Sequence, residues 1–195
     1  ISMTSNGPFD IYAGDWSKTE FDVLDIVNSA KSEMYTDLSL MIASGDKFWT
    51  TAQIYSKDAA DPSVRPVLQM IVNGVATERY PCKDNMVVAG ANRDINYGYD
   101  EIIEIQEHGT YDDVGEPNGS YDKDTKRAFI CFDISDITPT DKITLAKITF
   151  TARTVITDET RNRFADENGN PYSGDARDKT LWSMWYVKSA WEEGD

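Results

Sequence analysis

Residues 126–134 alternate with a period of two: Ala128, Ile130, Phe132 and Ile134 fall on one side, and Arg127, Phe129, Cys131 and Asp133 on the other. Successive side chains of a strand point to opposite faces, so this pattern marks a strand with one face in a core. Residues 143–154 behave similarly, with Leu145 and the β-branched Ile148, Thr149, Thr151, Thr154 and the adjoining Val155 at strand positions. Segments 37–44 and 67–72 predict two further strands. Only Val23, Ile26, Val27 and Ala30 recur at helical spacing, which predicts one short helical turn. Pro62, Pro66, Pro81, Pro117, Pro139 and Pro171, with Asn73-Gly74, Asn118-Gly119 and Gly169-Asn170, mark turns between short elements. The pattern predicts an all-β fold, a β-sandwich of jelly-roll or Greek-key type, in one domain spanning residues 1–195.

A chain of 195 residues is long enough to fill one core. Thirty-four acidic against 19 basic residues leave a formal net charge of −15. That field repels phosphate backbones and anionic lipid surfaces, so nucleic-acid partners and membrane binding are not expected. No apolar run approaches the roughly 20 residues of a membrane-spanning helix, and no charged-then-apolar leader is seen, so membrane insertion is not expected either. A soluble, processed or excised product is expected.

The residues offer little for catalysis. The single histidine, His108, stands in Gln106-Glu107-His108-Gly109 without a Gly-x-Ser-x-Gly elbow, and reads as a solvated loop residue. Carboxylate neighbours such as Asp112/Asp113 and Glu192/Glu193 point to opposite faces on a strand and read as solvated surface. No enzyme is expected. Cys82 and Cys131 lack the spacing of a zinc site and read either as a bridge, should their segments be neighbours, or as two buried free thiols. Asp166, Asn168, Asn170 and Asp175 place oxygen ligands along one loop, as Ca²⁺ needs; Pro171 and the missing terminal glutamate depart from the EF-hand pattern, and an Asx-rich hairpin is the other reading. Asn118-Gly119-Ser120 fits a glycosylation acceptor in a host that glycosylates.

Several segments together carry a family likeness. Residues 84–98 give an opening strand and an Asn96-Tyr97-Gly98 turn, and residues 127–135 an arginine-led strand ending Phe132-Asp133-Ile134-Ser135. Residues 143–152 supply an apolar strand, 186–193 a Trp-Glu step, 16–27 a segment containing Phe21-Asp22-Val23, and 54–58 with 65–68 a Ser56-Lys57-Asp58 and Arg65-Pro66-Val67-Leu68 pair. In this joint order the chain resembles the DNRLRE-type β-sandwich domain of secreted and surface proteins, some of whose members are carbohydrate-binding modules. The halves run in permuted order, residues 75–195 corresponding to the family's first part and 1–74 to its second. Joined, Trp191-Glu-Glu-Gly-Asp195 and Ile1-Ser-Met-Thr4 resemble the family's continuous middle. A circular permutation, an out-of-phase slice of a tandem array and a strand-exchanging filament subunit each fit that order.

The resemblance implies a non-catalytic extracellular or cell-surface module for carbohydrate binding and adhesion, its partner a polysaccharide or cell-surface glycan. The other implied function is a structural repeat or filament subunit assembling with its own copies. Sugars stack on planar side chains, so exposed aromatics are the candidate carbohydrate-binding residues. Trp16 and Trp191 sit at positions that look structural in the family. Trp49, Trp182, Trp185, Tyr97 and Tyr99 remain, each with core packing as its other reading; Trp182 and Trp185 fall on opposite faces of one strand.

Overall fold

The computed structural model describes residues 5–12, 18–44, 50–88, 97–107, 109–111, 117–121, 125–157, 179–189, 191 and 193. In chain order they form β1 (Ser5–Tyr12), β2 (Lys18–Asp22), α1 (Leu24–Ser32), β3 (Asp37–Ser44), β4 (Thr50–Tyr55), a 3₁₀ turn (Pro62–Val64), β5 (Val67–Val72) and β6 (Val75–Arg79). There follow β7 (Lys83–Val88), β8 (Ile102–Glu107), β9 (Gly109–Tyr111), β10 (Pro117–Tyr121), β11 (Lys126–Asp133), β12 (Ile143–Thr157) and β13 (Lys179–Tyr186). The fold is all-β, and these strands pair antiparallel throughout.

One curled sheet runs in the order β1-β13-β3-β11-β8-β4-β12-β5-β6, with β2 on β12 and β7 on β11 off this path; β9 and β10 form a separate pair. The curl comes from β12, the longest strand. Its first part pairs with β5 and β2, and from Ala152 onward it pairs with β4, with a register shift between Ala152 and Thr154. A bulge of this kind bends a strand and increases its twist, so β12 can serve two groups of strands. At the other side of the molecule β11 joins β8 through a single pair, Lys126 with Gln106, while β7 takes most of that edge.

The alternation read from the sequence decides what faces inward. Ala128, Ile130, Phe132 and Ile134 are buried, as are Leu38, Leu40 and Ile42 of β3, Ile54, Leu68, Met70 and Ile103. Phe21 and Phe150 meet edge-on with centroids 5.3 Å apart, and Tyr35 and Tyr186 do so at 5.7 Å. The helix closes one end: Ile26, Val27 and Ala30 are buried on one stripe, and the Val23 amide donates to the Ala146 carbonyl. It stops in a Schellman arrangement, with Met34 at φ 60°, the Tyr35 amide donating to Ala30 O and the Met34 amide to Lys31 O.

Asn73 (φ 54°) and Gly74 (φ 82°) are the two central residues of the β5–β6 hairpin, between the paired Val72 and Val75. Both take the positive φ of a type I′ turn, which Asn-Gly tolerates best. The hairpin tip is held by the Asn73 side-chain amide, which donates to Asp141 Oδ1, and by the Lys142 amide, which donates to Asn73 Oδ1.

A carboxylate and lysine cluster beside Tyr99

On β7 the inward positions are Asp84, Met86 and Val88, so the strand period that buries two apolar residues also buries a carboxylate. Asp84 is 1% exposed. Its Oδ2 accepts the Lys57 backbone N–H at 2.5 Å, and its own N–H donates to Glu193 Oε1 at 3.1 Å.

Lys57 comes from the turn that leaves β4. Ser56 is fully buried and fixes that turn: its amide donates to Glu101 O, and its hydroxyl accepts the Asp58 amide at 3.0 Å. The Lys57 ammonium then sits 2.7 Å from Asp58 Oδ2 and 2.8 Å from Glu193 Oε1.

Glu193 arrives on the segment after β13, which crosses the outer face of the sheet. The Val187 amide donates to Ser39 O, Trp191 Nε1 donates to Ser39 Oγ at 3.1 Å, and the Trp191 ring lies against Phe129 with centroids 5.8 Å apart. Asn85 Nδ2 donates to Glu193 O at 2.9 Å and completes the attachment to β7. The outer face of β3 and β11 is thus covered around Ser39 and Cys131, and both are buried.

Burial pushes the Asp84 carboxyl up to about 7, with the Lys57 amide and ammonium pulling the other way and Asp58 and Glu193 adding to the rise. Desolvation works against the Lys57 ammonium, but its hydrogen bonds to Asp58 and Glu193 outweigh that and hold its pKa above the ordinary value. One ligand oxygen each from Asp58, Asp84 and Glu193 lies within 4.8 Å of the others, the spacing of a cation site. That centre is served instead by the lysine, which pairs with two of the three carboxylates, and by the peptide N–H on the third. The donor set does not fit a divalent ion while Lys57 stays charged.

The loop between β7 and β8 brings an aromatic to this cluster. The Tyr97 amide donates to Asn85 Oδ1, and the Asp100 amide to Tyr97 O. Tyr97 packs against the core, whereas Tyr99 is 66% exposed and has the Lys57 ammonium 5.8 Å from its ring centroid.

Of the aromatics expected to meet a sugar, Tyr97 and Tyr99 share this loop, and of these two Tyr99 presents its ring to solvent. Trp185 is half-buried on β13, between the inward Met184 and Tyr186. β3 and β11 separate β13 from β7, which puts Trp185 about 14 Å from the β7 edge. Trp49, the Trp182 side chain, His108 and the expected Ca²⁺ ligands Asp166, Asn168, Asn170 and Asp175 lie outside the described residues.

Glu193 departs from the expectation of a solvated carboxylate. Its side chain is 19% exposed and ion-paired, because Trp191 is anchored on Ser39 and Glu193 is bound to Asp84 and Asn85 of β7. Asp84, Lys57 and Asp58 were not legible as a site, although an aspartate at an inward position of the Asp84-Met86-Val88 series was a usable signal. Three segments distant in sequence contribute Lys57 and Asp58, Asp84 with Tyr97 and Tyr99, and Glu193 to this one place.

No protein-family model, curated protein or solved structure matches this chain. Among the described residues no helix is long and apolar enough to cross a membrane.

Proposed function

We propose that this chain is a non-catalytic extracellular module that binds a polysaccharide or cell-surface glycan at the surface formed by Tyr99, Lys57 and Asp58. The single observation behind this reading is the exposed Tyr99 ring set against a fixed pair of charges. A planar ring offers a stacking face for the C–H side of a pyranose, and neighbouring carboxylate and ammonium groups take and give hydrogen bonds to its hydroxyls. Lys57 and Asp58 are already oriented by Ser56, Glu193 and Asp84, so little order is lost on binding. The net charge of −15 favours a neutral glycan over an anionic one.

The same geometry argues against glycoside hydrolysis. Asp84, the described carboxyl whose pKa burial raises to about 7, is 1% exposed and beyond the reach of a glycosidic oxygen.

A second reading rests on β1. It ends the strand order and, among the described strands, pairs with β13, so the same pairing made by a neighbour's β1 would build a strand-exchanged filament. A glycan array with wild type and Tyr99→Ala separates the two readings. Binding to neutral glycans that Tyr99→Ala loses supports the module. No retained glycan together with polymers by size exclusion and electron microscopy supports the filament.

A further inference from the structure

Cys82 and Cys131 are brought together by an irregularity of the β7–β11 ladder. In register, Cys131 pairs with Lys83, yet the Cys82 amide donates to the Cys131 carbonyl at 2.8 Å. Two consecutive residues thus face one, as at a β-bulge, and the two sulfur atoms come within 3.4 Å as free thiols. A backbone hydrogen bond between the two residues keeps their Cα atoms inside the range of about 4.4–6.8 Å that a bridge requires. Their accessibility differs: Cys82 is exposed, whereas Cys131 is buried under the segment anchored by Trp191. The expectation of two buried thiols therefore holds for Cys131 and not for Cys82.

We propose that this pair is a thiol–disulfide exchange site, in which Cys82 attacks a low-molecular-weight disulfide and Cys131 resolves the adduct into an intramolecular Cys82–Cys131 bridge. In the first step the Cys82 thiolate forms a bond to one sulfur of the small disulfide and expels the other half as a thiolate. In the second step the Cys131 sulfur attacks Cys82 Sγ and displaces the bound half, while the Cys131 proton passes to the expelled thiolate. The protein loses two hydrogens, and the small disulfide is reduced to two thiols. Cys82 is the nucleophile because only it is exposed to an incoming disulfide, and with the Cys131 thiol donating across the 3.4 Å contact the Cys82 pKa is lowered to about 7, burial opposing the shift. The bridge ties the strand that carries Asp84 to the centre of the sheet, two residues from the cluster.

Oxidised glutathione added to the reduced protein tests this. The expected result is one intramolecular Cys82–Cys131 linkage in the peptide map, no lasting glutathione adduct, and a Tm raised by about 10 °C over the reduced protein. Cys131→Ser should stop at a stable adduct on Cys82, and Cys82→Ser should stay unmodified. A wild-type protein that keeps the adduct on Cys82, forms intermolecular dimers instead, or leaves both thiols unreacted overturns the proposal. Because the wild-type map alone decides between these outcomes, a variant that fails to fold does not weaken the test.

Discussion

The Lys57 ammonium and the Glu193 carboxylate meet at 2.8 Å, and that contact joins the turn after β4 to the segment after β13 across the inward carboxylate of β7. Both side chains are mostly buried, 16% and 19% exposed, so the pair is shielded from solvent in a way surface ion pairs are not. Removing Lys57 leaves Glu193 and Asp58 without their shared cation, whereas removing Glu193 leaves Lys57 paired with Asp58. Lys57→Met should therefore lower stability by about 1–3 kcal/mol, and Glu193→Gln by less. A double-mutant cycle by urea unfolding should show the two effects coupled by about 1 kcal/mol or more; simple additivity would mean the pair contributes nothing.

Asp84 sets a pH dependence of defined sign. Its folded pKa of about 7 stands above the ordinary 3.8, so between those values the folded chain holds a proton that the unfolded chain releases. Stability contributed by this group is greatest below about pH 4 and falls as the pH rises through 7, by at most about 4 kcal/mol. Asp84→Asn removes that dependence. The difference in unfolding free energy between variant and wild type should grow from pH 4 to pH 8 in favour of the variant; a flat difference contradicts the assignment.

What could be read from the sequence followed from period and turn chemistry. Segments 37–44 and 67–72 became β3 and β5 with those bounds, and Val23, Ile26, Val27 and Ala30 form the buried stripe at α1. These are local patterns, each carried by one element. The path of β12 was not legible, because Ile143–Thr157 reads as one strand whether it serves one group of neighbours or two. The cluster was hidden for a related reason. Lys57, Asp84 and Glu193 belong to three separate segments, and nothing within any of them indicates that Trp191 docks on Ser39 and Phe129 and so delivers Glu193 to β7. In a chain with 34 acidic residues, an inward aspartate is visible only once strand faces are assigned.

Tyr186 carries a cost in the core. Its hydroxyl is buried without a hydrogen-bond partner among the described residues, and desolvation pushes its pKa above the ordinary value. Tyr186→Phe keeps the ring against Tyr35 and removes the orphaned group. Thermal unfolding of the variant should match wild type or exceed it by about 1 kcal/mol, and a clear loss of stability would reveal a partner for the hydroxyl.

Phe132 anchors the inward face of β11 and is fully buried. Phe132→Ala should cost about 3–5 kcal/mol, because the strands on both sides hold the cavity open. Phe129→Ala, on the outer face, should instead loosen the Trp191 segment and expose the cluster to solvent. Hydrogen exchange separates the two: global acceleration for the first, and for the second acceleration confined to residues near 39, 84 and 191.

Affinity electrophoresis through gels containing neutral polysaccharides tests the binding surface most directly, with wild type compared to Tyr99→Ala, Trp49→Ala and Trp182→Ala. The proposed site predicts a polysaccharide that retards wild type and both tryptophan variants, with the retardation lost in Tyr99→Ala while its circular dichroism stays unchanged. Retardation that survives in Tyr99→Ala, or that disappears only in Trp49→Ala or Trp182→Ala, would contradict it.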